Sequence, residues 1–377
     1  MTTAGRIMTS IQGHPCFVPH PLPPKNLSLT PTVSRLIEET THALGRVDAC
    51  RSLLPNPDLL QYASLRIEAM ASSTIENTVA SPDELVLYEV TKKTDREQVR
   101  EVANYGAALN EGLKLLEERP ISINLILRVH EVLLLGVRGA VYGGRLKVAQ
   151  NYIAPRRTDP IELATYVPPS PEDTPRLMSD LEKYINLAPL EPKVVQIALT
   201  HYQFETIHPF ADGNGRVGRL LIVLQLIQLG LLSAPMLYPS AYFERTRDQY
   251  YLELQALRDT GRWEAWIRYF VEGLREQAQH TLDLVASIQS VQNELRQRIS
   301  GIRRHASMAR VLDEFLAEPV LTTTTVSKKS GLSFGTSQKA VGDLAAIGIL
   351  REFTGKMRGR VYVCQPLMDT LFARPMA

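Results

Sequence analysis

The chain has 377 residues, 44% of them hydrophobic and 22% charged, with a formal net charge of +2. Such a balance predicts two or three globular domains and excludes both a disordered polyelectrolyte and a globally basic wrapper of nucleic acid. Cys16, Cys50 and Cys364 are an odd, scattered set that fits neither a disulfide framework nor a zinc site, so a reducing cytoplasm is the expected compartment. No basic segment followed by an apolar run opens the chain, and its longest apolar stretch, Leu220–Leu232, is too short for a bilayer and is broken by Gln225 and Gln228.

Pro15, Pro19, Pro21, Pro23, Pro24 and Pro31 predict an extended path for residues 1 to about 32, wrapping over the body or remaining mobile. A helix is expected from Thr32 to Leu44, with Gly45 as its stop. Asn56-Pro57 reads as the N-cap and first residue of a second helix, whose Leu59, Ala63, Ile67 and Met70 recur at helical spacing. Ser81-Pro82-Asp83-Glu84 reads as a capping box opening another. Helices fit about 97–117 and 122–135, and residues 143–153 alternate apolar and polar side chains in part, which predicts a short hairpin.

The densest chemistry lies in His208-Pro209-Phe210-Ala211-Asp212-Gly213-Asn214-Gly215-Arg216-Val217-Gly218-Arg219. Upstream, Val194, Ile197, Ala198, His201, Tyr202 and Phe204 follow a helical pattern that Pro209 ends. Downstream, Leu220, Leu221, Val223, Leu224 and Ile227 begin another, so the loop empties into a helix N-terminus, where unpaired N–H groups and the dipole favour an anion. Gly213 and Gly215 are expected to take positive φ and let the backbone turn its N–H groups onto a phosphate. Arg216 and Arg219 share a face and can fork onto phosphate oxygens. Asp212 is a hard oxygen ligand suited to Mg²⁺, and His208 is the group able to take a proton near neutral pH.

Beyond it, Tyr250 and Tyr251 fall on an expected helix over 240–257, Trp263 and Trp266 read as core anchors, and residues 275–305 read as a long connector helix. His130 and His201 lack metal-ligand spacing and are expected to be satisfied helix residues. From about 306 a helix, a Thr-rich start to a second, a third over about 333–347 and two short strands within 351–363 follow in order. From 303 onward eleven Lys and Arg face six acids, a net charge of about +5.

The twelve-residue segment resembles the Fic-family signature H-P-F-x-[D/E]-G-N-G-R-x-x-R at every specified position. Related kinase toxins carry Lys where this chain has Gly215, so the segment follows the nucleotidyl-transfer version. The resemblance implies a mainly α fold: a Fic-type helical core with a small β-hairpin flap, followed by a C-terminal winged helix-turn-helix. It implies protein adenylylation, in which AMP passes from ATP to a Ser, Thr or Tyr hydroxyl of a target protein or of the chain itself. His208 would be the catalytic base, Asp212 the Mg²⁺ ligand, and Gly213, Asn214, Gly215, Arg216, Val217, Gly218 and Arg219 the nucleotide site, with Tyr250 and Tyr251 at the adenine.

Ser72-Ser73-Thr74-Ile75-Glu76-Asn77 resembles the family's inhibitory motif [S/T]-x-x-x-E-[G/N], which makes Glu76 the inhibitory residue. The flap would hold the target through Lys147, Val148, Ala149 and Gln150 by strand addition. The implied division is 1–118 with the inhibitory helix, 119–275 as the Fic domain, 276–305 as connector and 306–377 as the winged module. Lys328, Lys339, Lys356 and Arg358 would meet phosphates if that module binds DNA; dimerisation or target binding is the alternative. AMP removal, another donor group, and a nucleotide-sensing DNA-binding regulator remain the rival functions.

Overall fold

The computed structural model describes residues 4–10, 13–25, 27–51, 56–156, 158–188, 190–302, 305–355 and 359–373. Strands β1 (Gly5–Thr9) and β2 (Pro15–Pro19) precede helices α1 (Pro31–Cys50), α2 (Pro57–Ile75), α3 (Pro82–Thr91), α4 (Glu97–Glu118) and α5 (Ile123–Leu133). Next come α6 (Thr174–Asn186), α7 (Lys193–Ile207), α8 (Asn214–Gln228), α9 (Ser240–Arg245), α10 (Arg247–Thr260) and α11 (Trp263–Ser300). The last elements are α12 (His305–Ala317), β3 (Val320–Thr322), α13 (Thr323–Ser330), α14 (Phe334–Ala346), β4 (Leu350–Glu352), β5 (Val361–Cys364) and α15 (Gln365–Leu371). The fold is mainly helical, as expected.

Two helices form its centre. Every residue of α7 from Val194 to Ile207 is buried, and α8 is buried from Arg216 to Leu226. A helix apolar on one stripe would leave its other face in water; these are enclosed on all sides, so the loop between them is anchored at both ends in packed core. Trp266 of α11 donates its indole N–H to the Ala198 carbonyl at 2.9 Å and stacks among Phe270, Tyr250 and His201. At about 1.5 Å per residue α11 is about 57 Å long. Its first half lies in this core, and Ile288, Leu295 and Ile299 continue the buried stripe toward the C-terminal elements.

Local signals explain several helix ends. Asn56 Oδ1 accepts the Asp58 N–H at 3.0 Å, and Ser81 and Glu84 complete a reciprocal capping box. Helix α1, however, runs through Gly45 to Cys50. One glycine costs about 1 kcal/mol in a helix, and the stripe Val33, Ile37, Thr40, Leu44 and Val47 buried on that helix outweighs it. The N-terminal segment does wrap over the body, with the Phe17 N–H on the Val167 carbonyl and the Gln203 amide on the His20 carbonyl. It is not simply extended: β1 and β2 pair antiparallel, Gly5 opposite Pro19, and Pro15 and Pro19 stand at strand ends where a missing N–H is tolerated.

After α11, β3, β5 and β4 form an antiparallel sheet in that order, with α12, α13 and α14 packed together beside it. Val320, Val361, Val363 and Met368 close over Val86 of α3, so this sheet rests on the N-terminal helices. Lys356 and Arg358, with Arg303, Arg304 and Arg374, lie outside the described residues.

The contact of α11 with α9 is close. A Cβ on Gly273 would stand 2.5 Å from Cδ1 of the buried Tyr242 ring. Gly273→Ala is therefore expected to lower stability by about 1–3 kcal/mol, read as an earlier urea midpoint at unchanged slope.

Candidate functional site

Helix α7 ends because Pro209 cannot continue it, and His208 closes it. His208 donates its N–H to the Phe204 carbonyl at 2.9 Å and adopts the left-handed region, φ 49° and ψ 61°. That conformation costs an L-residue about 1–2 kcal/mol, so the surrounding contacts must hold it. Phe210 stacks on the His130 ring at 3.7 Å, and Asn214 both accepts the Phe210 N–H and donates to the Phe210 carbonyl, each at 2.8 Å. His130 and His201 are satisfied core residues, the former between the Asp212 carbonyl and the Gly144 N–H, the latter between the Gly218 carbonyl and Tyr250.

Of the two loop glycines only Gly213 takes positive φ, 81°. Gly215 lies inside α8, and its missing side chain serves another purpose: a Cβ there would stand 2.3 Å from Glu76 Oε1. Gly218 is likewise a packing residue, since a Cβ would meet Glu205 Oε1 at 2.3 Å, and Val217 is wholly buried. Both side-chain positions are thus taken up by packing.

The half-buried His208 ring has Nδ1 3.3 Å from the Glu205 carbonyl. The tautomer that satisfies this contact donates from Nδ1 and leaves Nε2 as the basic nitrogen. Desolvation first, then the Lys147 cation, push the imidazole down to about 4, so it is neutral at physiological pH. Asp212 Oδ1 accepts the Gly213 N–H at 2.7 Å and lies 3.7 Å from Arg216 Nη2. Glu205, a second carboxylate nearby, is pushed up to about 7 by burial between α7 and α8, which suits it poorly as a cation ligand.

Both arginines are engaged from the N-terminal helices. Arg216 pairs with Glu101 of α4 at 3.2 Å, and Glu101 also accepts the Thr78 hydroxyl. Arg219 is buried and gripped three ways: Nε to Ser72 Oγ at 2.9 Å, Nη2 to the Ser72 carbonyl at 2.9 Å and Nη2 to Glu76 Oε1 at 2.8 Å. Burial alone would raise the Glu76 carboxyl; the Arg219 guanidinium, with Arg216 and His208, reverses this and holds it below its ordinary value. Helix α2 is fixed one further turn back, where buried Glu68 accepts from the Tyr105 hydroxyl at 2.8 Å and the Ser240 N–H at 2.9 Å. Glu68 and Glu101 were not singled out in the sequence. Two arginines beside one aspartate left an unmatched cation, the available hint of a further acid.

Three expectations need correction. Residues 143–153 form no hairpin: an isolated bridge joins Ile153 to Tyr166. The segment's polar groups turn inward instead. Lys147, 5% exposed, bonds to Asn151 and to loop carbonyls, and Gln150 donates to the Asn151 and Pro168 carbonyls. Only Val148, 92% exposed, and Ala149 stay open to a target. Tyr250 is core, its hydroxyl 2.8 Å from His201 Nε2; Tyr251, 42% exposed beneath Arg247, is the accessible ring.

The described residues contain no helix long and apolar enough to cross a membrane, and no cluster of three or more His, Cys, Asp or Glu that could hold a metal by themselves. The chain is 26% identical over 255 residues to a probable protein adenylyltransferase of Aquifex aeolicus, covering 62% of this chain and 74% of that one. It is 33% identical over 167 residues to the protein adenylyltransferase Fic of Aedes aegypti, but spans only 29% of that longer protein. Among solved structures, a Fic family protein from Desulfovibrio desulfuricans superposes with a TM-score of 0.57 at 20% identity, over 93% of this chain and 99% of that one. Fic-1 from C. elegans does so at 0.52 and 22%, over 68% and 75%. Residues 34–114 match the model of the Fic/DOC family N-terminal region and residues 120–226 that of the Fic/DOC family, the spans that carry the Arg219–Glu76 pair and the His208 loop. The helices that carry the His208 loop and the Glu76 motif are thus helices the two models describe, and the chain contains a Fic/DOC family N-terminal region and a Fic/DOC family domain.

Proposed function

We propose that the protein transfers AMP from ATP to a hydroxyl side chain of a target protein and of itself, and that Glu76 restrains the reaction. The observation that carries this reading is a neutral, half-buried His208 beside the N-terminus of α8, with two buried arginines on the same helix. His208 Nε2 takes the proton of the incoming hydroxyl. The hydroxyl oxygen bonds to the α-phosphorus, the α–β bridging bond breaks, and pyrophosphate leaves. Backbone N–H groups of Gly213, Asn214 and Gly215 receive phosphate oxygens at the helix N-terminus, with Arg216 on the β- and Arg219 on the γ-phosphate.

Asp212 fits Mg²⁺ as a single hard carboxylate beside an anion cradle, the remaining ligands being phosphate oxygens and water. Bound Mg²⁺ would neutralise charge on the phosphates. Asp212→Ala is expected to lower AMP transfer about 10²-fold, and excess Mg²⁺ should not restore it. We read the α12–β5 elements as a winged helix-turn-helix on their order, with Lys328 and Lys339 exposed. Its binding to DNA is tested by salt-dependent affinity.

The decisive experiment supplies ATP labelled at the α-phosphate in one arm and at the γ-phosphate in the other. Protein-bound label from the α arm alone is the expected result. Label from the γ arm would make the protein a phosphoryl transferase, and no label from either, even in Glu76→Gly, would remove the reading.

A further inference from the structure

The segment expected to grip a target instead grips the loop that carries the base. Four consecutive carbonyls, from Ile207 to Phe210, accept hydrogen bonds from residues 147–151. Lys147 Nζ donates to the Ile207 carbonyl at 3.2 Å and the His208 carbonyl at 3.1 Å, with Asn151 Oδ1 as its third acceptor at 2.8 Å. The Lys147 N–H donates to the Pro209 carbonyl at 2.8 Å. Asn151 Nδ2 donates to the His208 carbonyl at 3.0 Å and the Phe210 carbonyl at 2.8 Å.

All three ammonium protons are therefore placed, which is what permits a lysine to be buried. Burial pushes its ammonium down to about 7, and the charge it carries below that stands at the C-terminus of α7, where orphan carbonyls and the helix dipole favour a cation. The chain turns left-handed at His208, a conformation that histidine takes more readily than most residues but that is still uncommon and costs free energy for any side chain with a Cβ. The contacts from 147–151 offset that cost.

We propose that Lys147 and Asn151 are positioning residues that fix the left-handed turn at His208 and so aim its imidazole at the reacting hydroxyl. The aim rests on His208 being the base of AMP transfer; the fixing of the turn does not. Misplacement of a catalytic group by about 1 Å can lower a rate about 10²-fold without weakening substrate binding.

The test uses the full chain carrying Glu76→Gly, alone and with Lys147→Met or Asn151→Asp. The aspartate can still accept from Lys147 but cannot donate to the His208 and Phe210 carbonyls. Each variant is expected to lower kcat for AMP transfer about 10²-fold with KM for ATP within about twofold. Hydrogen exchange followed by mass spectrometry should quicken at least about tenfold in peptides covering 207–214 and stay unchanged elsewhere. An unchanged kcat, unchanged exchange in 207–214, or faster exchange throughout the chain would each overturn the proposal, the last by reducing the two residues to general fold stability. If Glu76→Gly alone transfers no AMP, the functional reading fails, and exchange in 207–214 still decides whether the clamp exists.

Discussion

His208→Ala is expected to lower AMP transfer about 10²–10⁴-fold and to leave ATP affinity within about twofold. On the proposed reading the imidazole acts on the incoming hydroxyl, whereas the phosphates are received by the N-terminus of α8 and its arginines. The pH profile tests the same assignment more sharply. Burial, and then the Lys147 cation and Arg258, disfavour the imidazolium, while the Glu205 carbonyl and Glu76 favour it; the result lies near 4. The base is thus neutral above that value and protonated below it. No acid limb from His208 itself is expected until pH passes through about 4, whereas a shallower change near 7 reports Lys147 and Glu205, both of which burial moves to about 7. An acid limb near 6.5, the ordinary value for histidine, that persists in Lys147→Met and in Glu205→Gln would mean that the ring is solvated and its burial has no part in setting the base. Calorimetric titration with ATP in the alanine variant separates the chemical role from binding.

How much of this could be read in the sequence depends on how far apart the partners lie. The signature loop, the Asn56 cap and the Ser81 capping box were legible because cause and effect sit within a few residues. Ser72 and Glu76 were legible as a pair one turn apart, and both meet Arg219. The grip of Glu101 on Arg216 was not, since 115 positions separate them and a lone glutamate on α4 carries no local mark. Lys147 looked like a surface residue on an alternating stretch; its burial follows from where α7 ends, which periodicity does not encode. Tyr250 and Tyr251 are neighbours on α10, so which ring is buried is decided by the packing of Phe243, His201 and Trp266 around one of them. The β1–β2 pairing was hidden because prolines that suggest an extended path also stand comfortably at strand ends.

Glu76→Gly is expected to raise self-modification about 10²-fold, and the gain should disappear when Arg219→Ala is added. The geometry explains both halves. Arg219 has one guanidinium, and Nη2 is shared between the Ser72 carbonyl and Glu76 Oε1. A γ-phosphate competes with the carboxylate for that fork, and a nucleotide that loses the contest settles with its α-phosphate out of line for attack. Removing the carboxylate does not release the arginine into a disordered state, because Ser72 still holds Nε and Nη2 at 2.9 Å each and Glu68 still anchors the preceding turn of α2. The freed guanidinium is therefore already aimed into the site. Loss of the pair should cost stability well short of the about 3–5 kcal/mol of a fully buried ion pair, since the Glu76 side chain is 37% exposed. ATP should restore that stability, so its addition raises the Tm of Glu76→Gly more than that of the parent. Self-modification is read with ATP labelled at the α-phosphate, and the thermal shift with the same samples lacking target. An unchanged rate in Glu76→Gly would leave the Glu76–Arg219 pair as a structural contact only; a raised rate that survives Arg219→Ala would show that Glu76 restrains the reaction through a group other than this arginine.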